Sequence, residues 1–171
     1  MSIPYETLIR PVVSRLAAEH RIRGGAAAEA MLIAIGLQES RFLHRDQVVT
    51  GKKPGTIGPA TGFWQFERGG GVRGVMRHPA SRGVARLMAD DCAIPFDDEA
   101  IWTSFTRPEG DELACAFARL LLFTDPAPLP RAAPGEAAAA WDYYIRNWRP
   151  GKPHRRTWDG FWAQALESIG A

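Results

Sequence analysis

The stretch AAAEAMLIAIGLQES, residues 26–40, is apolar on nearly every side between Ala30 and Leu37. A helix that is apolar all round is normally buried inside a protein core. The Gly24-Gly25 pair that precedes the stretch ends the segment before it. The sequence therefore predicts a central buried helix over these residues, around which the other elements pack.

The rest of the chain also shows helical periodicity. Leu8, Val12 and Leu16 recur at intervals of four and predict an amphipathic first helix over residues 4–20. Residues 44–62, rich in Gly and Pro around Val48-Val49, predict a loop or small hairpin. Further helices are predicted before His78, from Pro79 onward, and over residues 97–105, 109–124, 136–148 and 157–169, with a proline-rich connector at 125–135. The predicted fold class is mostly α.

Length and composition set bounds on the class of protein. The 171 residues fit a single domain over residues 1–171, and 46% hydrophobic residues provide a core. A net charge of +2 does not by itself require a nucleic-acid partner. The four histidines and two cysteines show no metal-ligand spacing, so we expect no metal and no cofactor. For Cys92 and Cys115 a disulfide stays open, and two free thiols are the simpler interpretation.

The N-terminus carries no recognisable targeting signal. Its first twenty residues lack an uninterrupted apolar run and a small-residue cleavage site, which argues against a signal peptide. No segment reaches the roughly 18 apolar residues that are needed to cross a membrane. We therefore expect synthesis in the cytoplasm, with any action outside the cell depending on another route.

Glu39 places a carboxyl group at the end of the central helix, on the same face as Leu32 and Ile35. Partial burial and the negative end of the helix dipole should both raise its pKa. A carboxylic acid that is protonated near neutral pH can protonate a departing glycosidic oxygen. The alternative is a surface glutamate that is neutralised by Arg41 or Arg45.

A second motif, Gly62-Phe63-Trp64-Gln65-Phe66-Glu67, follows the glycine-rich loop. Its aromatic rings have the flat apolar faces that stack on sugars, and its amide can bond N-acetyl and hydroxyl groups. The alternative is a buried aromatic strand or turn, in which backbone groups satisfy the amide.

Together the two motifs resemble a known family. Gln38-Glu39-Ser40-Arg41-Phe42, followed by Gly62-Phe63-Trp64-Gln65-Phe66, is similar to the signatures of lytic transglycosylases and goose-type lysozymes. More narrowly, residues 34–78 resemble small phage-encoded lysozyme-like proteins. The resemblance implies a single lysozyme-like domain with a small loop or hairpin lobe beside a substrate cleft.

The resemblance also implies residue roles. Glu39 would be the catalytic acid, and Ser40 and Gln65 would place the acid and the N-acetylmuramic ring. Phe63 and Trp64 replace the leucine and methionine that are usual in the family, and they would contact the sugar. The family's third motif is not present as such; its nearest match is AWDYYIRN at residues 140–147, where Tyr144 or Tyr143 would supply a hydroxyl to the acid.

A second carboxylate would distinguish hydrolysis from lytic transglycosylation, because an inverting hydrolase uses a base to activate water. The candidates are Asp46 and Glu67. Each has an adjacent arginine that offers a simpler pairing, Arg45 and Arg68. The sequence therefore favours a lytic transglycosylase, with a two-carboxylate muramidase as the alternative.

Two further features allow other interpretations. Gly69-Gly70-Gly71 lacks the lysine and serine or threonine of a phosphate-binding loop, so a flexible turn is expected. Residues 146–156 form a basic run with Trp148 and Trp158 near its ends, which suits either an anionic polymer or a solvated loop.

The sequence thus predicts an enzyme that acts on peptidoglycan glycan strands. It would reach the cell wall after release or delivery, for example within a phage particle and alongside its other components. The alternatives are a phage structural or glycan-binding protein and, less favoured, a nucleic-acid-binding protein.

Overall fold

The computed structural model describes residues 3–47, 51, 53 and 56–171 and is mostly helical, which confirms the predicted class. The described part contains two short strands, β1 (Ala60–Thr61) and β2 (Phe66–Glu67). Its α-helices are α1 (Arg10–His20), α2 (Ala26–Glu39), α3 (Arg73–Arg77), α4 (Arg82–Asp91), α5 (Asp98–Ser104), α6 (Asp111–Phe123), α7 (Ala137–Trp148) and α8 (Arg155–Ile169).

Helix α2 is the centre of the core, as its composition predicts. Every residue from Met31 to Leu37 is buried, and the helix packs most extensively against α8. Its start follows Gly25, whose φ of 90° suits a residue without a side chain. Its last residue is Glu39, so this buried helix ends in a carboxyl group.

The two strands form an antiparallel pair in which Ala60 faces Glu67 and Thr61 faces Phe66. The turn between them contains Gly62, at a φ of 75°, and Gln65, at a φ of 48°. The hairpin is therefore centred on the aromatic motif and overlaps the predicted range of 44–62 at β1. Within that range Asp46 pairs with Thr61 in an antiparallel bridge, so the predicted loop is closed at its ends. Val48 and Val49, which contributed to that expectation, lie outside the described residues.

Several element boundaries differ from the sequence predictions. The first helix begins as a π-helical turn, Tyr5–Ile9, before α1. Helix α4 begins at Arg82, because Pro79 lies in the preceding turn. The three glycines, for which a flexible turn was expected, belong to a π-helical turn, Arg68–Val72, that leads directly into α3.

Neither cysteine is in a disulfide: Cys115 is buried in α6 and Cys92 is half-buried after α4. Both thiols are free, as in the simpler interpretation of the sequence. Among the helices of the described residues, none combines the length and apolar character that crossing a membrane requires.

Gly36 allows the ring of Phe42 to pack directly against α2. A Cβ added at Gly36 would lie 2.1 Å from Cζ of Phe42, a buried ring that itself packs on Phe63 and Trp64. We therefore expect Gly36→Ala to lower the free energy of unfolding by about 1–3 kcal/mol in urea denaturation, because overpacking outweighs the better helix propensity of alanine.

Gly160 in α8 provides a matched control, since an added Cβ would meet no atom within 4 Å. Gly160→Ala should raise the free energy of unfolding by roughly 0.5–1 kcal/mol through helix propensity alone. Equal stability gains in both variants would contradict the close packing of Phe42 on α2.

Candidate active site

Glu39 and Tyr144 form the centre of the site. The Tyr144 hydroxyl, from α7, donates a 2.6 Å hydrogen bond to Oε1 of the half-buried Glu39. Of the two tyrosines that the sequence offered for this contact, Tyr144 makes it. Tyr143 points elsewhere, and its hydroxyl lies 2.9 Å from the carbonyl oxygen of Leu122.

Three tryptophans hold the Tyr144 ring in place. The Trp158 ring of α8 stacks on it at 5.0 Å with an interplanar angle of 13°. Trp141 and Trp148, one helical turn before and after Tyr144 on α7, contact it at 5.4 and 6.4 Å. The Trp158 indole N–H is anchored in turn to the carbonyl oxygen of Ala137.

Sequence reasoning did not assign this supporting role to the tryptophans. The available signal was the spacing of residues 141, 144 and 148, which puts three aromatic rings on one face of a helix. Because the face of Tyr144 is covered by Trp158, the hydroxyl keeps one direction, toward α2.

Burial raises the pKa of Glu39 to about 7, because removing the carboxylate from water disfavours its charged form. The hydrogen bond from Tyr144 acts in the opposite direction and lowers the pKa, and the charge of Glu67 raises it further. A carboxyl group with this pKa is substantially protonated at neutral pH. It can therefore donate a proton, as a general acid must.

The alternative in which an arginine neutralises Glu39 is wrong. The Arg45 guanidinium forms two hydrogen bonds of 2.7 Å with the carboxylate of Asp111. The Arg41 guanidinium lies 6.0 Å above the ring of Phe161. Within the part of the chain that the structure describes, no ion pair involves Glu39.

The two candidate second acids have different surroundings. Asp46 is part of the loop scaffold, since it pairs with Thr61 in a β-bridge and its Oδ1 accepts a 2.6 Å hydrogen bond from the Gly58 N–H. Glu67 is exposed at the end of β2, and its charge acts on Glu39. The expected pairing of Glu67 with Arg68 is wrong, because Arg68 pairs with Glu99.

The aromatic rings of the second motif do not face solvent, so their assignment as sugar-stacking groups is wrong. Trp64 is fully buried, and its indole N–H donates to the carbonyl oxygen of Leu32 in α2 at 2.9 Å. Phe63 is 6% exposed, and the Arg45 guanidinium lies 4.4 Å from its ring centroid. The alternative of a buried aromatic turn describes these two residues.

Trp64 also links α2 to α7. While its side chain bonds Leu32, its own carbonyl oxygen accepts a 2.9 Å hydrogen bond from the indole N–H of Trp148. Trp148 lies one helical turn from Tyr144. The second motif is thus bonded to both helices that supply the acid and the tyrosine.

Ser40 and Gln65 bond mainly to backbone groups. The Ser40 hydroxyl lies 2.7 Å from the carbonyl oxygen of Phe63 and accepts from the Phe42 N–H, which fixes the end of α2 against the second motif. Gln65 is half-buried, and its Nε2 donates to the carbonyl oxygen of Gly62 at 2.8 Å. The Gln65 amide oxygen has no partner among the described residues, so it can accept a hydrogen bond.

A pocket of about 480 Å³ lies close to the aromatic motif but is separate from the acid. Phe42, Phe63, Arg45 and Asp111 line it, whereas Glu39 does not. The Arg45 guanidinium and the Asp111 carboxylate in this pocket are already paired with each other. Among the described residues, no group of three or more His, Cys, Asp or Glu side chains is arranged to hold a metal ion.

The raised pKa of Glu39 makes a testable prediction about stability. Since about 7 lies above the ordinary value of 4.5, the folded state holds this proton more tightly than the unfolded chain. The resulting stabilisation is fully present below about pH 4.5 and is lost as the pH rises through about 7. Glu39→Gln lacks the ionisation, so relative to this variant the parent should lose about 1–3 kcal/mol between these limits.

Urea denaturation of both proteins at the two pH values measures the difference. Glu167→Gln, a change at an exposed position of α8, is the matched control and should follow the parent at both pH values. If the difference in the free energy of unfolding between the parent and Glu39→Gln did not change with pH, the assignment of Glu39 as a protonated acid would be contradicted.

Comparison of the chain with family models, with curated proteins and with solved structures gives no match. The function is therefore inferred from the residues around Glu39 and from the chemistry that their arrangement permits.

Proposed function

We propose that this protein cleaves the β-1,4 bond between N-acetylmuramic acid and N-acetylglucosamine in peptidoglycan, with Glu39 as the general acid. The main support is the half-buried carboxyl group of Glu39, whose pKa of about 7 lets it hold a proton at neutral pH. The resemblance of residues 34–78 to lysozyme-like proteins supports the same substrate and a lysozyme-like domain.

The hydrogen bond from Tyr144 gives the two carboxyl oxygens of Glu39 different roles. Oε1 accepts from the tyrosine hydroxyl, which leaves Oε2 to carry the proton toward the glycosidic oxygen. As the bond from C1 to that oxygen breaks, Glu39 becomes negatively charged, and the Tyr144 hydroxyl stabilises the charge. The free amide oxygen of Gln65 is available to accept from an N-acetyl N–H of the sugar.

In the lytic route, the 6-hydroxyl of the muramic ring attacks its own C1. The C1–O6 bond forms, and the hydroxyl proton passes to the Glu39 carboxylate, so the acid is regenerated and no water is consumed. Intramolecular attack lowers the entropy cost because the nucleophile is already in place. The position of Asp46 in the loop scaffold supports this route, since it leaves that residue no evident role as a base.

A two-carboxylate muramidase is the second candidate, and Glu67 favours it. The adjacent Arg68 pairs with Glu99, which leaves the Glu67 carboxylate exposed and electrostatically coupled to Glu39. In this route Glu67 takes a proton from water as the water oxygen attacks C1, and Glu39 protonates the leaving oxygen.

A phage structural or glycan-binding protein that does not cut its ligand is the remaining alternative. Binding alone has no need of a desolvated carboxyl group, whose ionised form costs stability above neutral pH. If the protein is an enzyme of this kind, it acts on the cell wall after release from the cytoplasm or delivery in a phage particle.

Glu39→Gln should remove nearly all cleavage of purified murein, because general acid catalysis contributes about 10²–10⁴-fold in rate. Release of soluble fragments measures the activity, and circular dichroism establishes that the variant is folded. Glu167→Gln serves as the matched control and should retain the parent rate. A folded Glu39→Gln within threefold of the parent would refute the acid assignment.

The products distinguish the two routes. Lytic cleavage leaves 1,6-anhydromuramic ends, which mass spectrometry detects as fragments lighter by one water than the hydrolysed ends. We expect anhydro ends, and we expect Glu67→Gln to retain cleavage within about tenfold of the parent. Reducing muramic ends, together with loss of cleavage in Glu67→Gln, would instead assign the two-carboxylate route.

A further inference from the structure

The basic segment that follows α7 is attached to the residue next to the candidate acid. Gln38, which precedes Glu39, donates from Nε2 to the carbonyl oxygen of His154 at 3.2 Å. Its Oε1 accepts a 3.0 Å hydrogen bond from the Thr157 hydroxyl. The segment therefore lies at the edge of the site around Glu39.

Two of its arginines are already paired. Arg146 donates to Asp125, and Arg155 donates to Asp159. Four other side chains of this segment are exposed and form no ion pair within the described residues. We call this group the basic rim, and it consists of Arg149, Lys152, His154 and Arg156. Since Arg149, Lys152 and Arg156 meet no carboxylate within the described residues, their positive charges are not neutralised by the protein.

The two tryptophans of the basic run are not available for stacking on a ligand. Trp158 is fully buried, and Trp148 is half-buried, with its indole N–H bonded to Trp64. Binding of single-stranded nucleic acid relies on exposed aromatic rings between the charges. The rim thus offers cations without such rings, which suits carboxylates better than bases.

We propose that the basic rim binds the free carboxylates of the peptide stems attached to muramic acid, so that stem-bearing strands are the preferred substrate. This inference rests on the proposed glycan-cleaving function. The sugar rings of the strand carry no charge that would use the rim's Arg149, Lys152 and Arg156 beside the acid, whereas each stem brings carboxylates close to the bond that is cut. The rim would therefore select strands and align them at Glu39.

The role of the rim is tested by measuring how tightly the protein binds murein strands that it cannot cleave. In a Glu39→Gln background, the double variant Lys152→Gln/Arg156→Gln is compared with Arg82→Gln/Arg107→Gln, which removes the same charge from two other exposed positions. The ligands are soluble uncrosslinked murein strands, either native or with their carboxylates converted to amides. Titrations are made in low salt and in about 1 M salt, where screening extends to about 3 Å.

We expect the rim variant to weaken binding of native strands about three- to tenfold in low salt, as for a few exposed charge pairs. The matched variant should bind like its parent. Amidated strands should bind the parent and the rim variant equally, and high salt should abolish the difference. Equal affinity of the parent for native and amidated strands, or equal weakening in both double variants, would overturn the proposal.

Two further results separate this proposal from the proposed function. If the protein with Glu39 intact does not cut murein but the rim effect on binding is present, the catalytic proposal fails and the rim proposal stands. If it cuts native and amidated strands with the same KM, the catalytic proposal stands and the rim proposal fails. A rim variant that loses salt-dependent binding of duplex DNA, with binding of murein unchanged, would overturn the rim proposal in favour of nucleic acid.

Discussion

The hydrogen bond from Tyr144 to Glu39 joins residues that are 105 positions apart in the chain. It requires α2 to end beside α7, and Trp158 to hold the tyrosine ring in one orientation. Burial and this bond act in opposite directions on the Glu39 pKa, and burial has the larger effect. A fully solvated carboxyl group would lose its proton well below neutral pH, whereas Glu39 keeps it in the range where a cell operates.

The carboxyl group also limits how stable the protein can be. An acid that is desolvated for proton donation destabilises the folded state once it ionises. The surroundings of α2 offset this cost, because its residues from Met31 to Leu37 are all buried in the main core. The site thus lies at the end of a helix whose middle is fully buried, and the packing of that helix holds the acid in place.

Much of the fold could be predicted because its helices have clear periodicity, and Glu39 could be found because it ends an apolar helix. The contacts that surround each side chain could not be predicted in this way. An aromatic motif such as Phe63-Trp64 looks the same whether its rings face a sugar or the core, and only the three-dimensional position of α2 decides. Likewise, Arg68 is adjacent to Glu67 in sequence, but the partner that it reaches in space is Glu99. Long-range pairing of this kind has no local signal.

The position of Trp64 has a consequence for how such a site can diverge. Its indole N–H bonds α2, and its carbonyl oxygen bonds Trp148 in α7, so one residue is bonded to both helices that carry Glu39 and Tyr144. A smaller residue here would leave Glu39 and Tyr144 unchanged but would remove the hydrogen bond that fastens the second motif to α2. A related chain that keeps the acid and the tyrosine but lacks this indole must therefore fasten the motif to α2 by another contact.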